Sequence, residues 1–186
     1  MTLHNEIIKH YEDIWESKAS IIIPTKGRIN ELPKNFCVLE FAPTETRNMW
    51  TYGTCCMSGI EDLNPIEIHL FSLRKDSDLV EILTAVTHYH KNESTLGLNH
   101  IVNFGKPWQE NSKCSHGFIS LPYLDGPLLE NMQSPDFDNK VVKFYWLIPV
   151  TISEVDFVKT HGVEALEEKF ELASFDYLDT HRDSVV

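Results

Sequence analysis

The acid and the imidazole in Pro65-Ile66-Glu67-Ile68-His69-Leu70 stand two residues apart, a spacing that puts both side chains on one face of a strand. So placed, they can serve as acid and base or as metal ligands. The same alternation also arises in any half-exposed strand that does no chemistry. His88 and His90 are two apart as well, but in a segment of helical periodicity that sends them to different sides. A helical metal pair needs a separation of about four residues. Cys114-Ser115-His116 is the nearest thing to a local ligand pair, expected in a loop over residues 106–117. No second pair follows at zinc-finger spacing, so no metal and no cofactor are expected. Cys55 and Cys56 lie among apolar residues, which disfavour a thiolate nucleophile. There is no G-x-S-x-G elbow and no glycine-rich phosphate loop. With no catalytic set in view, the chain is expected not to be an enzyme. The alternative is a metal-dependent or hydrolytic enzyme using Glu67 and His69, which requires those side chains to converge in a cleft.

The elements that would carry these residues follow from periodicity. Leu3, Ile7, Tyr11 and Ile14 recur at helical spacing, which predicts an amphipathic helix over 3–17. Ile21 to Pro24 is a short strand or extended segment, and Phe36 to Phe41 alternates as a strand. Met49 to Ser58 and Ile66 to Phe71, joined by a short turn, predict an antiparallel hairpin. Ile66, Ile68 and Leu70 face its core, and Glu67, His69 and Phe71 face the other way. Adjacent Cys55 and Cys56 on a strand would point to opposite faces, and all four cysteines are expected to be free thiols.

A second helix starts from Asp76-Ser77-Asp78, carries Leu79, Ile82, Leu83 and Val86, and frays near His90 and Asn92. Asn99 to Phe104 and Phe118 to Tyr123 read as brief strands, and Leu124 to Lys140 as an irregular segment. Val141 to Ile148 is a buried strand expected to close on Pro149. Thr151 and Ser153 each have an acid three residues on, Glu154 and Asp156, which is capping-box spacing. Gly162 stops that helix, and Val163, Leu166 and Phe170 open another. The fold class expected is α+β: a single domain over 1–186, with a mixed, mainly antiparallel sheet packed against helices.

Net charge bounds the partners. The 186 residues carry 16 basic and 28 acidic side chains, a net of −12. Half of that sits between Ser153 and Val186, where nine acids face three bases. Such a surface repels nucleic acid and speeds capture of a basic protein. No apolar run approaches the roughly 20 residues of a membrane helix, and no secretory leader opens the chain, so a cytoplasmic location without membrane contact is expected.

Taken as a series, several segments resemble the suppressor-of-fused (SUFU) domain family. They are Met49-Trp50-Thr51-Tyr52-Gly53-Thr54 with Met57-Ser58, then Pro65 to Leu70. The helix Leu79 to Tyr89 precedes Leu98-Asn99-His100-Ile101-Val102 and Gly105-Lys106-Pro107. Phe144 to Val150 then runs into Ser153-Glu154-Val155-Asp156-Phe157 and Gly162, and Arg182-Asp183-Ser184-Val185 closes the series. The match covers about residues 36–185.

The resemblance implies a binding protein with no catalytic residues to carry across. Animal members are two-domain inhibitors that grip a peptide of a transcription factor. Short single-domain bacterial members are regarded in many cases as immunity proteins that neutralise a toxin, often a nuclease, in polymorphic toxin systems. This chain has the length of the second group. An antitoxin-like protein occluding a basic toxin domain is therefore expected, as a monomer or weak homodimer. An intracellular peptide-binding regulatory module is the other non-enzymatic alternative. Partner contacts are expected at Glu61 and Asp62 in the hairpin turn, at Asp136 and Asp138 in the irregular segment, and at Glu164, Glu167 and Glu168 on the last helix.

Overall fold

A computed structural model describes residues 2–59, 62–135 and 140–186. Helix α1 (Leu3–Trp15) is followed by β1 (Ser20–Ile22), a short 3-10 turn, β2 (Cys37–Phe41), β3 (Trp50–Cys55) and β4 (Ile66–Ser72). Then come α2 (Ser77–Asn92), β5 (Ile101–Asn103), β6 (Cys114–Ser120), α3 (Pro127–Glu130) and β7 (Asn131–Gln133). The chain closes with β8 (Val141–Thr151), α4 (Ile152–His161) and α5 (Val163–Ala173). The strands form one sheet in the order β1-β2-β3-β4-β8-β6-β5, with β7 on the first residues of β8. Only the β4–β8 pair is parallel among the described strands, so the sheet is mixed and mainly antiparallel, as expected. The β3–β4 hairpin forms with Trp50 opposite Ser72 and Gly53 opposite His69.

Both sheet faces are covered. On one, α2 lays Leu79, Ile82, Leu83 and Val86 over Ile66, Ile68, Leu70, Tyr145 and Leu147. On the other, two groups lie side by side. Helix α1 packs Ile7, Tyr11 and Trp15 against Leu39, Phe41 and Phe144, while α4 and α5 pack Val155, Leu166 and Phe170 against Trp146, Ile148 and Val150. Burying an aliphatic or aromatic side chain of this size contributes roughly 1.5–3 kcal/mol. Strand β8 feeds all three groups because its alternation places Tyr145 and Leu147 on one side and Phe144, Trp146 and Ile148 on the other.

Several expectations are corrected by packing. Helix α1 stops at Trp15 because Glu16 turns left-handed at φ 48°. Helix α2 runs to Asn92 without fraying at His90, whose buried Nδ1 accepts the Leu96 amide at 2.9 Å. Cys114, Ser115 and His116 lie in β6 and not in a loop, because β8 extends past Pro149 to pair with them. Pro149 does not close the strand: it sits opposite Gly117, and its carbonyl is taken by Arg182 Nη2 at 3.1 Å. Leu124 to Lys140 is less irregular than expected, since it holds α3 and β7. Cys56 does not point away from Cys55. It lies beyond the end of β3 at φ 62°, which folds its sulfur back to 4.0 Å from that of Cys55.

The local signals hold where capping chemistry decides. The Asp76 side chain accepts the Asp78 amide at the start of α2. Thr151 and Glu154 make the reciprocal capping box of α4, and Gly162 at φ 85° separates α4 from α5. Among the described residues, no helix is long and apolar enough to cross a membrane.

Candidate functional site

Where β6 and β8 meet α5, a cavity of about 360 Å³ opens between the sheet and the C-terminal segment. Trp146 and Ile148 form its floor, and Phe175 and Tyr177 close one side. The aromatic rings interlock: Trp146 meets Tyr177 edge-on at 5.3 Å, and Phe170 stacks on Phe175 at 4.2 Å. Tyr123 and Leu124, both well exposed, form the opposite lip. Helix α5 adds Glu167 and Glu171 as the wall. Glu167 accepts a hydrogen bond from Ser120 Oγ at 3.3 Å. Burial, together with the like charges of Glu164 and Glu171, raises its carboxyl above the usual range, with the Ser120 bond offsetting part of the rise. No basic residue among those described lines this cleft, whereas the cavities on the α2 face are lined by Lys26, Arg28, Lys75 or Lys106. Aromatic faces beside carboxylates form a receptor for a lysine or arginine side chain.

Behind the floor lies a buried polar junction that sequence reasoning did not find. Asp125, from the turn before α3, accepts Arg47 Nη1 at 2.6 Å and Trp15 Nε1 at 2.9 Å on one oxygen. Arg47 Nε also donates to Thr51 Oγ1 at 3.1 Å, and its guanidinium lies over Trp15 at 5.0 Å and Phe71 at 4.9 Å. His69 Nε2 stands 3.5 Å from the second Asp125 oxygen, an electrostatic contact without a hydrogen bond. Burial opposes the charge on Asp125, but His69 and Arg47 hold its carboxyl below the usual carboxylate range. Burial lowers His69 below its ordinary value despite Asp125. Phe71 carries this junction to the cleft, touching Trp146 at 5.3 Å and Tyr177 at 6.0 Å. The only sequence signal was the turn chemistry of Leu124-Asp125-Gly126-Pro127, which says nothing of a partner elsewhere.

Glu67 and His69 share a face as expected, but that face is not half-exposed. Helix α1 lies across it, and both side chains are buried. Glu67 accepts Thr54 Oγ1 at 2.5 Å and the Met57 amide at 3.1 Å. His69 is enclosed by Tyr11, Trp15 and Phe71. The two side chains therefore serve different neighbours and open to no cleft. Burial, reinforced by the Cys56 sulfur, holds the Glu67 carboxyl well above the usual range despite its donors. A carboxyl raised on folding stabilises fully below its unfolded pKa and loses that contribution as pH rises toward its folded value. Glu67→Gln, neutral throughout, is thus expected to gain on the parent as pH rises. Thermal melting at several pH values checks this, and a pH-independent difference between the two proteins rules it out.

The remaining candidates separate. His88 pairs with Glu31 at 2.7 Å on the surface, whereas buried His90 accepts the Leu96 amide, so the two serve different partners. Burial pushes the Cys114 thiol up to about 11, and all four cysteines are free and buried. Of the expected partner contacts, Glu167 lines the cleft, while Glu164 and Glu168 are exposed on α5 outside its lining. Asp62 accepts the Gly59 amide at 2.6 Å and so shapes its own turn. Glu61, Asp136 and Asp138 lie outside the described residues. Among the described strands, β1 and β5 end the sheet order and β7 pairs with β8 alone, an arrangement that sequence did not reveal.

Comparison with known proteins agrees with this architecture. The profile of the family described as Suppressor of fused protein (SUFU) matches residues 33–183. No curated protein matches the chain. A SUFU homolog from Neisseria gonorrhoeae FA 1090 is similar in structure, with a TM-score of 0.85 and 33% identity over 99% of this chain and 97% of its own. The structure of a Sufu-Fu complex aligns at a TM-score of 0.69 and 13% identity, covering 99% of this chain and 92% of that one. Drosophila Suppressor of Fused aligns at 0.70 and 13% over 99% of this chain and 51% of its own, so the chain spans about half of that protein's length. The last two share the fold. From its matched profile and its bacterial relative, the chain belongs to the suppressor-of-fused family.

Proposed function

We propose that this protein binds and neutralises a basic protein, in the manner of an immunity protein covering the cleft of a toxin such as a nuclease. The observation that carries this reading is the cleft with aromatic floor and carboxylate wall, on a chain of net charge −12. A nuclease must present cations to phosphate, and an inserted lysine or arginine from such a surface finds Trp146 and Tyr177 beneath it and Glu167 and Glu171 beside it. Inhibition then needs occlusion alone. A protein partner is in keeping with the relative of the same fold found in a Sufu-Fu complex. The cytoplasm is the compartment in which such a neutraliser would meet a toxin before it acts.

The test is capture of a basic toxin domain encoded beside this chain. Association is expected to slow as salt rises, because long-range attraction is screened. Replacing Glu167 and Glu171 together by lysine should slow association by about an order of magnitude at low salt. Rates indifferent to salt and to both replacements rule out the cleft. An alternative reading, a peptide-binding module, is favoured by β1, an edge strand with Ile21 and the adjoining Ile23 exposed. In that case an added peptide strand is lost on introducing proline in β1, while the cleft variants bind normally.

A further inference from the structure

Three of the four thiols gather beside the first turn of α1. In the β2–β3 ladder Cys37 lies directly opposite Cys55, and the left-handed turn at Cys56 returns a third sulfur to 4.0 Å from Cys55. His4, in the first turn of α1, brings its Nε2 to 3.6 Å from Cys37 Sγ. The donor atoms of His4, Cys37 and Cys55 all lie within 4.8 Å of one another.

We infer that His4, Cys37 and Cys55 form a binding site for a thiophilic divalent cation, zinc above all, with the fourth position of its tetrahedron open to solvent water and Cys56 close beside the set. Zinc takes sulfur at about 2.3 Å and imidazole nitrogen at about 2.0–2.1 Å in a tetrahedron, so its ligand atoms stand roughly 3.5–3.8 Å apart. The spacings among His4, Cys37 and Cys55 need only small side-chain rotations to reach that. Softness fits as well, since a thiolate-rich set with one imidazole selects zinc over calcium or magnesium. The imidazole is already oriented: its Nδ1 faces Asn5 Oδ1 at 3.5 Å, which leaves Nε2 for the ion. Cys37 and Cys55 are fully buried, while His4 is only partly so and gives the ion a way in. Binding takes up the cation and releases thiol protons to solvent, with no change of oxidation state. Because His4 belongs to α1 and the thiols to the sheet and its margin, the ion would tie the N-terminal helix to β2 and β3.

No spacing rule could flag this set, since His4 and Cys37 are 33 residues apart in the chain. It departs from the expectation of no metal, which rested on local pairs alone.

The experiment is titration of the reduced, metal-free full chain with cobalt(II), followed by zinc. One equivalent is expected to give the sulfur-to-cobalt charge-transfer and intense visible bands of a tetrahedral thiolate site, and zinc should bleach them. Cys37→Ser should weaken cobalt binding by at least about 100-fold. His4→Gln, at a partly exposed position that does not threaten folding, should weaken it about 10-fold or more. Cys114→Ser, outside the cluster, should titrate like the parent. Zinc should raise the melting temperature of the parent and not of Cys37→Ser. Absence of the bands, or titrations unchanged in both Cys37→Ser and His4→Gln, overturns the inference. So does a Cys37–Cys55 disulfide that persists under reducing conditions.

Discussion

Glu154→Ala is expected to destabilise the protein by about 3–5 kcal/mol, because it leaves a buried guanidinium without its counter-charge. Glu154 is wholly buried, and Arg182 grips it as a fork, Nη1 to Oε1 at 2.6 Å and Nη2 to Oε2 at 3.0 Å. The same carboxylate accepts the Thr151 amide at 2.8 Å and the Val185 amide at 3.1 Å. One side chain therefore caps α4 and pins the C-terminal segment to the sheet. Arg182 cannot relax toward water without losing Phe170 and Phe175, whose rings lie 5.6 and 5.2 Å from its guanidinium carbon. Urea unfolding of Glu154→Ala, Arg182→Ala and the double variant checks the claim. The double variant should lose clearly less than the sum of the singles, since it buries no orphaned charge. Strictly additive losses would mean that the pair acts only through packing. Because Phe175 and Tyr177 belong to the segment so pinned, loosening it should also open the aromatic cleft.

Asp125→Ala is expected to cause a loss of similar size, about 3–5 kcal/mol, because it too strands an arginine charge and, with it, an indole donor. Arg47 comes from the β2–β3 loop, Trp15 from α1 and His69 from β4, and Asp125 meets all three. Its removal leaves the Arg47 charge and the Trp15 Nε1–H unpaired in the interior. Asp125→Asn should retain part of the stability, because the amide oxygen can still accept from Trp15. The pH dependence has a definite sign. Asp125 and His69 both bind protons more weakly folded than unfolded, so the unfolded chain gains protons first and stability falls as pH falls. The His69 loss begins near its ordinary value of 6.5, and the Asp125 loss follows below 3.8. Melting temperature followed on the acid side should show the lower step vanish in Asp125→Asn. An unchanged acid profile would mean that another carboxylate carries it.

How much of this was legible depends on whether the signal is local. The capping box at Thr151 and Glu154 could be read because its partners are three residues apart, and the structure contains both of its bonds. Its deeper role could not, because Arg182 arrives 28 residues later. Strand β8 was legible as the centre of the fold from its alternation of apolar side chains. That it runs through Pro149 was not, since only the tertiary arrangement supplies Arg182 for the freed carbonyl. The cleft was half visible. Glu167 was among the acids expected to matter, but Trp146 and Tyr177 meet it only after the C-terminal segment folds back.

The long helices and the main strands, the caps at Asp76 and Thr151, the break at Gly162 and the surplus of acid were determined by the sequence alone, because each depends on backbone preference, side-chain period or simple charge. Tertiary structure decided which polar groups share an interior. Arg47 met Asp125, and Cys37 met Cys55 and His4, only when strand register and the seating of α1 brought distant positions together. The physical reason is that hydrophobic burial specifies which face turns inward but not which neighbour it finds there. Hydrogen bonds and charge pairs, a few ångströms in reach, take whatever partners the register delivers.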